Sequence, residues 1–178
     1  MTIRRNRLIG TAALMAVVSL AAPASAGTWQ CVTFARAFSG VQIFGDAARW
    51  WSAAAGHYAE GSVPRVGGVL VFKATPQMRV GHVATVSEIV SPREIRVTHA
   101  NWSPVGGRRG EVERDVSVVD TSEAGDWSRV RVWYAPLGDL GRRDYPVFGF
   151  IYGAVTAAPA VASALAAVEA MPVELAGL

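Results

Sequence analysis

The chain has 178 residues, of which 51% are hydrophobic, and a formal net charge of +3 from 17 basic and 14 acidic side chains. Three arginines lie within residues 1–26, which hold no acid, so residues 27–178 carry 14 basic and 14 acidic side chains. This balance excludes the strongly basic surface that contacts with nucleic-acid phosphates require, and we expect no nucleic-acid partner.

The N-terminal segment has the three parts of an export signal. Residues 4–7 hold three arginines, residues 8–22 are apolar and uncharged, and residues 24–26 are the small residues of a cleavage site. The apolar run is shorter than the roughly 20 residues that span a bilayer comfortably. We therefore predict a signal peptide over residues 1–26, cleavage after Ala26, a secreted or periplasmic protein, and no stable membrane span after cleavage.

The rest of the chain divides by composition. Residues 27–141 are long enough to bury one core and are predicted to form a single domain. Residues 142–178 become rich in Ala, Val and Pro, and we predict a low-complexity C-terminal tail there. We expect the protein to be a monomer.

The first predicted helix contains the single cysteine, Cys31, so no intramolecular disulfide forms. Apolar residues at helical spacing run from Cys31 to Phe38 and predict a helix with one apolar face, with Thr28 as its N-cap. Cys31 then lies in the first turn, where unpaired N–H groups and the helix dipole favour a thiolate. Cys31 is either a nucleophile or a small buried hydrophobic residue, and the helix alone does not decide between them.

A second helix and five strands follow. The helix is predicted over residues 47–55, with Asp46 as its N-cap and with Trp50 and Trp51 packing mainly in the core. The strands are predicted over residues 67–73, 81–90, 94–101, 111–119 and 127–134. A turn at residues 91–93 joins the second and third strands into a hairpin. Because helices precede strands, the pattern predicts an α+β fold with an antiparallel sheet.

Strand periodicity brings three polar side chains to one face of that hairpin. His82 lies at the start of one strand, while His99 and Asn101 lie near the end of the other, and antiparallel pairing places these ends together. If the first helix packs on this face, Cys31 lies beside His82, which is the layout of a nucleophile, a base and an orienting group.

Two alternatives compete with this catalytic interpretation. Histidines on a strand face are often hydrogen-bonded structural residues, and Cys31, His82 and His99 could instead be three zinc ligands. The chain lacks the closely spaced ligand pairs that mark zinc sites. We therefore predict no metal and no cofactor.

Several short motifs occur in a characteristic order. They are residues 30–36 (QCVTFAR), 45–47 (GDA), 50–51 (WW), 64–67 (PRVG), 81–84 (GHVA) and 99–102 (HANW). Together they resemble the CHAP domain (cysteine, histidine-dependent amidohydrolase/peptidase) over about residues 28–135. The resemblance implies a papain-like α+β fold, in which N-terminal helices pack on an antiparallel sheet.

The resemblance also implies roles for individual residues. Cys31 is the expected nucleophile and His82 the expected general base. His99 stands where many relatives carry an acid, and Asn101 stands at the family's asparagine, so either is the third catalytic residue. Gln30 and Trp102 are expected in the oxyanion and substrate region.

The expected function follows from these roles. We expect an exported cysteine amidase or endopeptidase that cleaves amide bonds of peptidoglycan or its stem peptides through a thioester. Two alternatives stay open. One is a non-catalytic wall-binding or inhibitor-like module on the same fold, and the other is acyl transfer to an amine instead of water.

Overall fold

The computed structural model describes residues 28–153. The predicted signal peptide and most of the predicted tail lie outside the described residues. Within the described range, no helix is long and apolar enough to cross a membrane.

Two short α-helices and eight strands make up the described part of the chain. The α-helices are α1 (Cys31–Ser39) and α2 (Trp50–Ala54), with 3-10 turns at Ala47–Arg49 and Ala135–Leu137. The strands are β1 (Ala59–Gly61), β2 (Val69–Phe72), β3 (His82–Ser91), β4 (Glu94–Ala100), β5 (Val112–Asp120), β6 (Arg129–Tyr134), β7 (Asp139–Leu140) and β8 (Tyr145–Tyr152).

All strand pairs are antiparallel, in the order β1-β8-β2-β3-β4-β5-β6-β7. Strand β6 also pairs with β8, through Arg129 opposite Pro146 and Val130 opposite Tyr145. This second pairing closes β8, β2, β3, β4, β5 and β6 into a six-stranded barrel. The prediction of a papain-like α+β fold is therefore wrong: the protein is mostly β, and its sheet closes on itself.

Strand β8 lies inside the segment that composition assigned to the tail. It pairs with β1, β2 and β6, and its Val147 and Phe150 are buried in the barrel. Pro146 and Gly149 interrupt its sequence, and both residues normally weaken a strand prediction. At Gly149 a Cβ atom would lie 2.5 Å from the Gly61 carbonyl oxygen, so the close approach of β1 requires glycine there. The barrel thus extends beyond the boundary predicted after residue 141.

The barrel has an apolar interior and an apolar outer face that the helices cover. Residues of the interior include Leu70, Phe72, Ala84, Val86, Ile95, Val97, Val116, Val118, Trp127, Val130, Val132, Val147 and Phe150. On the outside, Val69, Val71, Val83 and Ile151 pack with Ala35 and Trp50 of the helical segments. Strand β2 is therefore buried on both faces, which explains its uninterrupted apolar sequence.

The helix boundaries differ from those predicted. Helix α1 begins at Cys31 with Gln30, not Thr28, as its N-cap residue. The predicted helix over residues 47–55 is a 3-10 turn followed by α2, and Asp46 makes no side-chain capping bond. The β3–β4 hairpin matches the predicted pairing around residues 91–93.

We predict that Phe150→Ala lowers the free energy of unfolding by about 3–5 kcal/mol, because it leaves a cavity in the barrel. Phe150 is fully buried and contacts Trp127 edge to face at 5.8 Å between ring centroids. Phe148, two residues away on the same strand, is 40% exposed. Phe148→Ala is therefore the control and should cost clearly less in denaturant titrations. Equal losses would contradict the described interior.

Candidate active site

A groove of about 920 Å³ opens at one end of the barrel. Strands β3, β5 and β8 begin at this end, and β2, β4 and β6 finish there. Cys31, His82, Asn101 and Trp102 all line the groove, together with Gln30. The antiparallel order of the strands is what brings residues so far apart in sequence to one place.

Two histidines form a buried pair beneath the groove. Nε2 of His82 lies 3.0 Å from Nδ1 of His99, within hydrogen-bond distance. Both side chains are buried, at 4% and 1% exposure. Trp102 packs against both rings, stacking on His99 at 5.7 Å and tilting over His82 at 4.9 Å between centroids.

Helix α1 places Cys31 in the same groove. The helix packs against β3 and β4, with its apolar face against the outer side of the barrel. Cys31 is the first residue of the helix, so its thiol lies at the rim, next to the backbone of Val83. Since Val83 directly follows His82, the thiol and the imidazole share one corner of the groove.

The electrostatics of Cys31 differ from the expectation based on the helix start. Burial raises the pKa of the Cys31 thiol above its ordinary value of 9.0, although N–H groups of Val83, Val32 and Cys31 itself act to lower it. The expected preference for a thiolate is therefore wrong for the resting protein. Desolvation of the anion outweighs the dipoles of these N–H groups.

Both imidazoles are neutral at ordinary pH. Burial, then His99, then the positive charge of Arg109 hold the pKa of His82 well below its ordinary value of 6.5. Burial lowers the pKa of His99 to about 3. In a neutral pair, one ring nitrogen donates and the other accepts, so His82 retains an uncharged ring that is able to take a proton.

The other predicted site residues have different surroundings. Asn101 follows β4 with a positive φ of 64°, which asparagine tolerates, and its Nδ2 donates to Oε1 of Gln30 at 2.9 Å. Its described contact is therefore with Gln30, and His99 is the residue hydrogen-bonded to His82. Trp102 is 6% exposed, and its indole N–H donates to the Trp133 carbonyl at 3.2 Å.

Sequence reasoning missed Glu113, which lies beside His99. The two residues are register partners on β5 and β4, and Oε1 of Glu113 is 3.9 Å from Nε2 of His99. The register shifts between Val97 and His99, and Asp115 there has a φ of 52°. This bulge turns Glu113 inward in place of Arg114, whereas simple alternation with Val116 would point Arg114 inward. The sequence carries no clear signal for the bulge.

Between residues 28 and 153, no group of three or more His, Cys, Asp or Glu side chains is arranged to hold a metal ion.

A lone thiol and an imidazole that line one groove define a cysteine- and histidine-dependent type of site. The family model of the CHAP domain matches residues 22–101, and this match confirms the resemblance to that family over these residues. The match includes Cys31, His82, His99 and Asn101, and it ends before Glu113. CHAP domains are generally cysteine- and histidine-dependent amidohydrolases, and the family is related to peptidoglycan. The comparison with curated proteins gives no match.

We predict that alkylation of Cys31 by iodoacetamide accelerates with pH and reaches half its maximal rate above pH 9.0, because its thiol pKa is raised from that value. The same chain unfolded in guanidinium is the control, and its midpoint should be lower. Mass spectrometry of the labelled chain gives the rate. A plateau below pH 8 would contradict a neutral thiol.

Proposed function

We propose that the protein is an exported hydrolase that cleaves amide bonds of peptidoglycan, with Cys31 as nucleophile and His82 as general base. The observation that carries this proposal is that Cys31 and His82 line one groove, with His99 hydrogen-bonded to His82 beneath it, in a region that the CHAP family model matches. Export rests on the sequence of residues 1–26 alone.

The first half of the reaction forms a thioester. His82 takes the Cys31 proton while the sulfur attacks the substrate carbonyl. The thiol and the imidazole are both neutral before this step, and the proton moves between them only as the attack takes place. The resulting oxyanion accepts hydrogen bonds from the backbone N–H of Cys31 and the side-chain amide of Gln30. His82 then gives its proton to the amine, and the C–N bond breaks.

The second half releases the acyl group. His82 takes a proton from water as the water oxygen attacks the thioester carbonyl. The C–S bond breaks to leave a carboxylic acid, and His82 returns its proton to the Cys31 sulfur. In this proposal His99 is the third catalytic residue, since its ring touches His82. Asn101 orients Gln30 through their 2.9 Å hydrogen bond.

We predict that residues 27–178 release soluble fragments from purified peptidoglycan sacculi, and that Cys31→Ala reduces release at least about 1,000-fold, because the nucleophile is lost. Mass spectrometry of the fragments identifies the bond and distinguishes hydrolysis from transfer to an added amine.

The matched control is Thr33→Ala, since Thr33 lies on the same helix outside the groove lining. It should retain activity close to that of the unaltered protein. Binding to sacculi without release by either protein would instead support the wall-binding module and overturn the proposed hydrolysis.

A further inference from the structure

Among residues 28–153, two neighbouring side chains, His99 and Glu113, each carry a buried polar atom without a partner. Within the described part of the chain, Nε2 of His99 and Oε2 of Glu113 have no hydrogen-bond partner. The closer carboxylate oxygen, Oε1, is 3.9 Å from that same nitrogen. An unpaired buried polar group is destabilising, so a short rotation that lets His99 donate to Glu113 is favourable.

The positions of the protons on both rings follow from the hydrogen-bond acceptors that Glu113 offers. A carboxylate accepts hydrogen bonds, so it favours the His99 tautomer that carries its proton on Nε2. Nδ1 of His99 is then an acceptor, and Nε2–H of His82 donates to it across 3.0 Å. Nδ1 of His82 is left with a free lone pair, which is the form that a general base requires.

We propose that Glu113 is a positioning residue that fixes the tautomers of His99 and His82 and so makes His82 a base toward Cys31. The statement that His82 acts as a base toward Cys31 rests on the proposed function. The statement that Glu113 fixes the two tautomers does not depend on it. His99 stands where relatives of the resembled family often carry an acid. In this chain the acid, Glu113, lies on the far side of the His99 ring from His82.

A purely structural role for Glu113 needs a separate readout. Its Oε1 accepts the backbone N–H of Ser103 at 2.6 Å, which holds the start of the β4–β5 connection. Glu113→Gln keeps an oxygen for Ser103 but offers His99 an N–H donor in place of an acceptor. It therefore inverts the tautomer preference while preserving the contact with the loop.

The test measures ring-nitrogen chemical shifts in the full chain labelled with ¹⁵N-histidine. The chain has three histidines, and His57→Gln assigns the exposed one. We expect His99 to carry its proton on Nε2 and His82 on Nε2 in the unaltered protein, and both protons to move to Nδ1 in Glu113→Gln. We also expect kcat on sacculi to fall about 100-fold with little change in KM, and Glu113→Asp to restore most of it.

Each outcome decides the proposal. An unaltered protein with its His99 proton on Nδ1 overturns it, whether or not any variant folds or any substrate is cleaved. Unchanged shifts and unchanged kcat in Glu113→Gln also overturn it. If the tautomers are as expected but sacculi stay intact, the proposed function fails while the positioning inference stands.

A different observation concerns the charge of the groove. Four arginines from three separate connections line it: Arg79 before β3, Arg109 between β4 and β5, and Arg142 and Arg143 before β8. All four side chains are exposed. The described lining includes no carboxylate, although acidic and basic side chains are equal in number over residues 27–178.

We infer that the groove selects substrates that carry free carboxylates near the scissile amide. The planar guanidinium fork binds carboxylates through two parallel hydrogen bonds, and arginines on three sides of a groove can bind more than one such group. This inference deepens the proposed function by naming the substrate class, and it rests on that function.

The test uses two stem peptides that differ only in whether their carboxylates are free or amidated. We expect the full chain to have a KM about 10-fold lower for the free form, and Arg142→Gln/Arg143→Gln to raise the KM for the free form to that for the amidated form. Arg65→Gln is the matched control, because Arg65 lies over Tyr152 and outside the groove lining.

Binding of both peptides to full-length Cys31→Ala, measured by calorimetry, separates the two proposals. Equal affinity for the free and amidated peptides overturns carboxylate selection, even if both are cleaved. Preferential binding of the free peptide that the double substitution abolishes supports selection, even if no peptide is cleaved and the hydrolase proposal fails.

Discussion

The pairing of β6 with β8 is the constraint on which the rest of the structure depends. It joins the second and the seventh strand of the eight-stranded antiparallel sheet, through residues 129–130 and 145–146. In the described part of the chain, closure leaves only the short strands β1 and β7 as edges. It also gives the barrel an inside, where a continuous apolar core forms. It also makes six strand ends meet at one opening, so that a thiol, two imidazoles and a carboxylate from α1, β3, β4 and β5 lie at a single end of the molecule.

The polar end of this barrel interior is stable because both of its imidazoles are neutral. Two protonated imidazoles at 3.0 Å would repel each other strongly in a dry site, and burial keeps His82 and His99 neutral by lowering the pKa of both. Phe72 packs against His82 and Trp102 packs against both rings, while Tyr145 packs in turn against Phe72 and Trp102. A neutral hydrogen-bonded pair in an aromatic shell costs far less than an ion pair there.

The same burial governs the cysteine. Helix α1 supplies N–H groups that favour a thiolate, but its packing on the barrel removes the thiol from water, and the second effect is larger. Cys31 therefore rests as a thiol and depends on His82 at the moment of attack. The orientation of the His82 ring then matters more than the acidity of the cysteine. For this reason His99, which is hydrogen-bonded to His82, and the nearby Glu113 are important in the proposed mechanism.

The sequence by itself determined the local features: a helix with Cys31 in its first turn, the β3–β4 hairpin, and the ends of that hairpin where His82 and His99 lie. Helices and strands repeat every 3.6 and 2 residues, so their patterns can be recognised from residues close together in the chain. Only the tertiary structure decided the closed barrel. The pairing between β6 and β8 leaves no pattern in neighbouring residues, and Pro146 and Gly149 weaken the strand signal of β8. The contact of Glu113 with His99 likewise depends on a bulge near Asp115 that reverses which side chains of β5 point inward. Burial raises the pKa of Cys31 although the helix dipole acts to lower it. This burial arises only when the chain is packed, so the sequence alone does not reveal it.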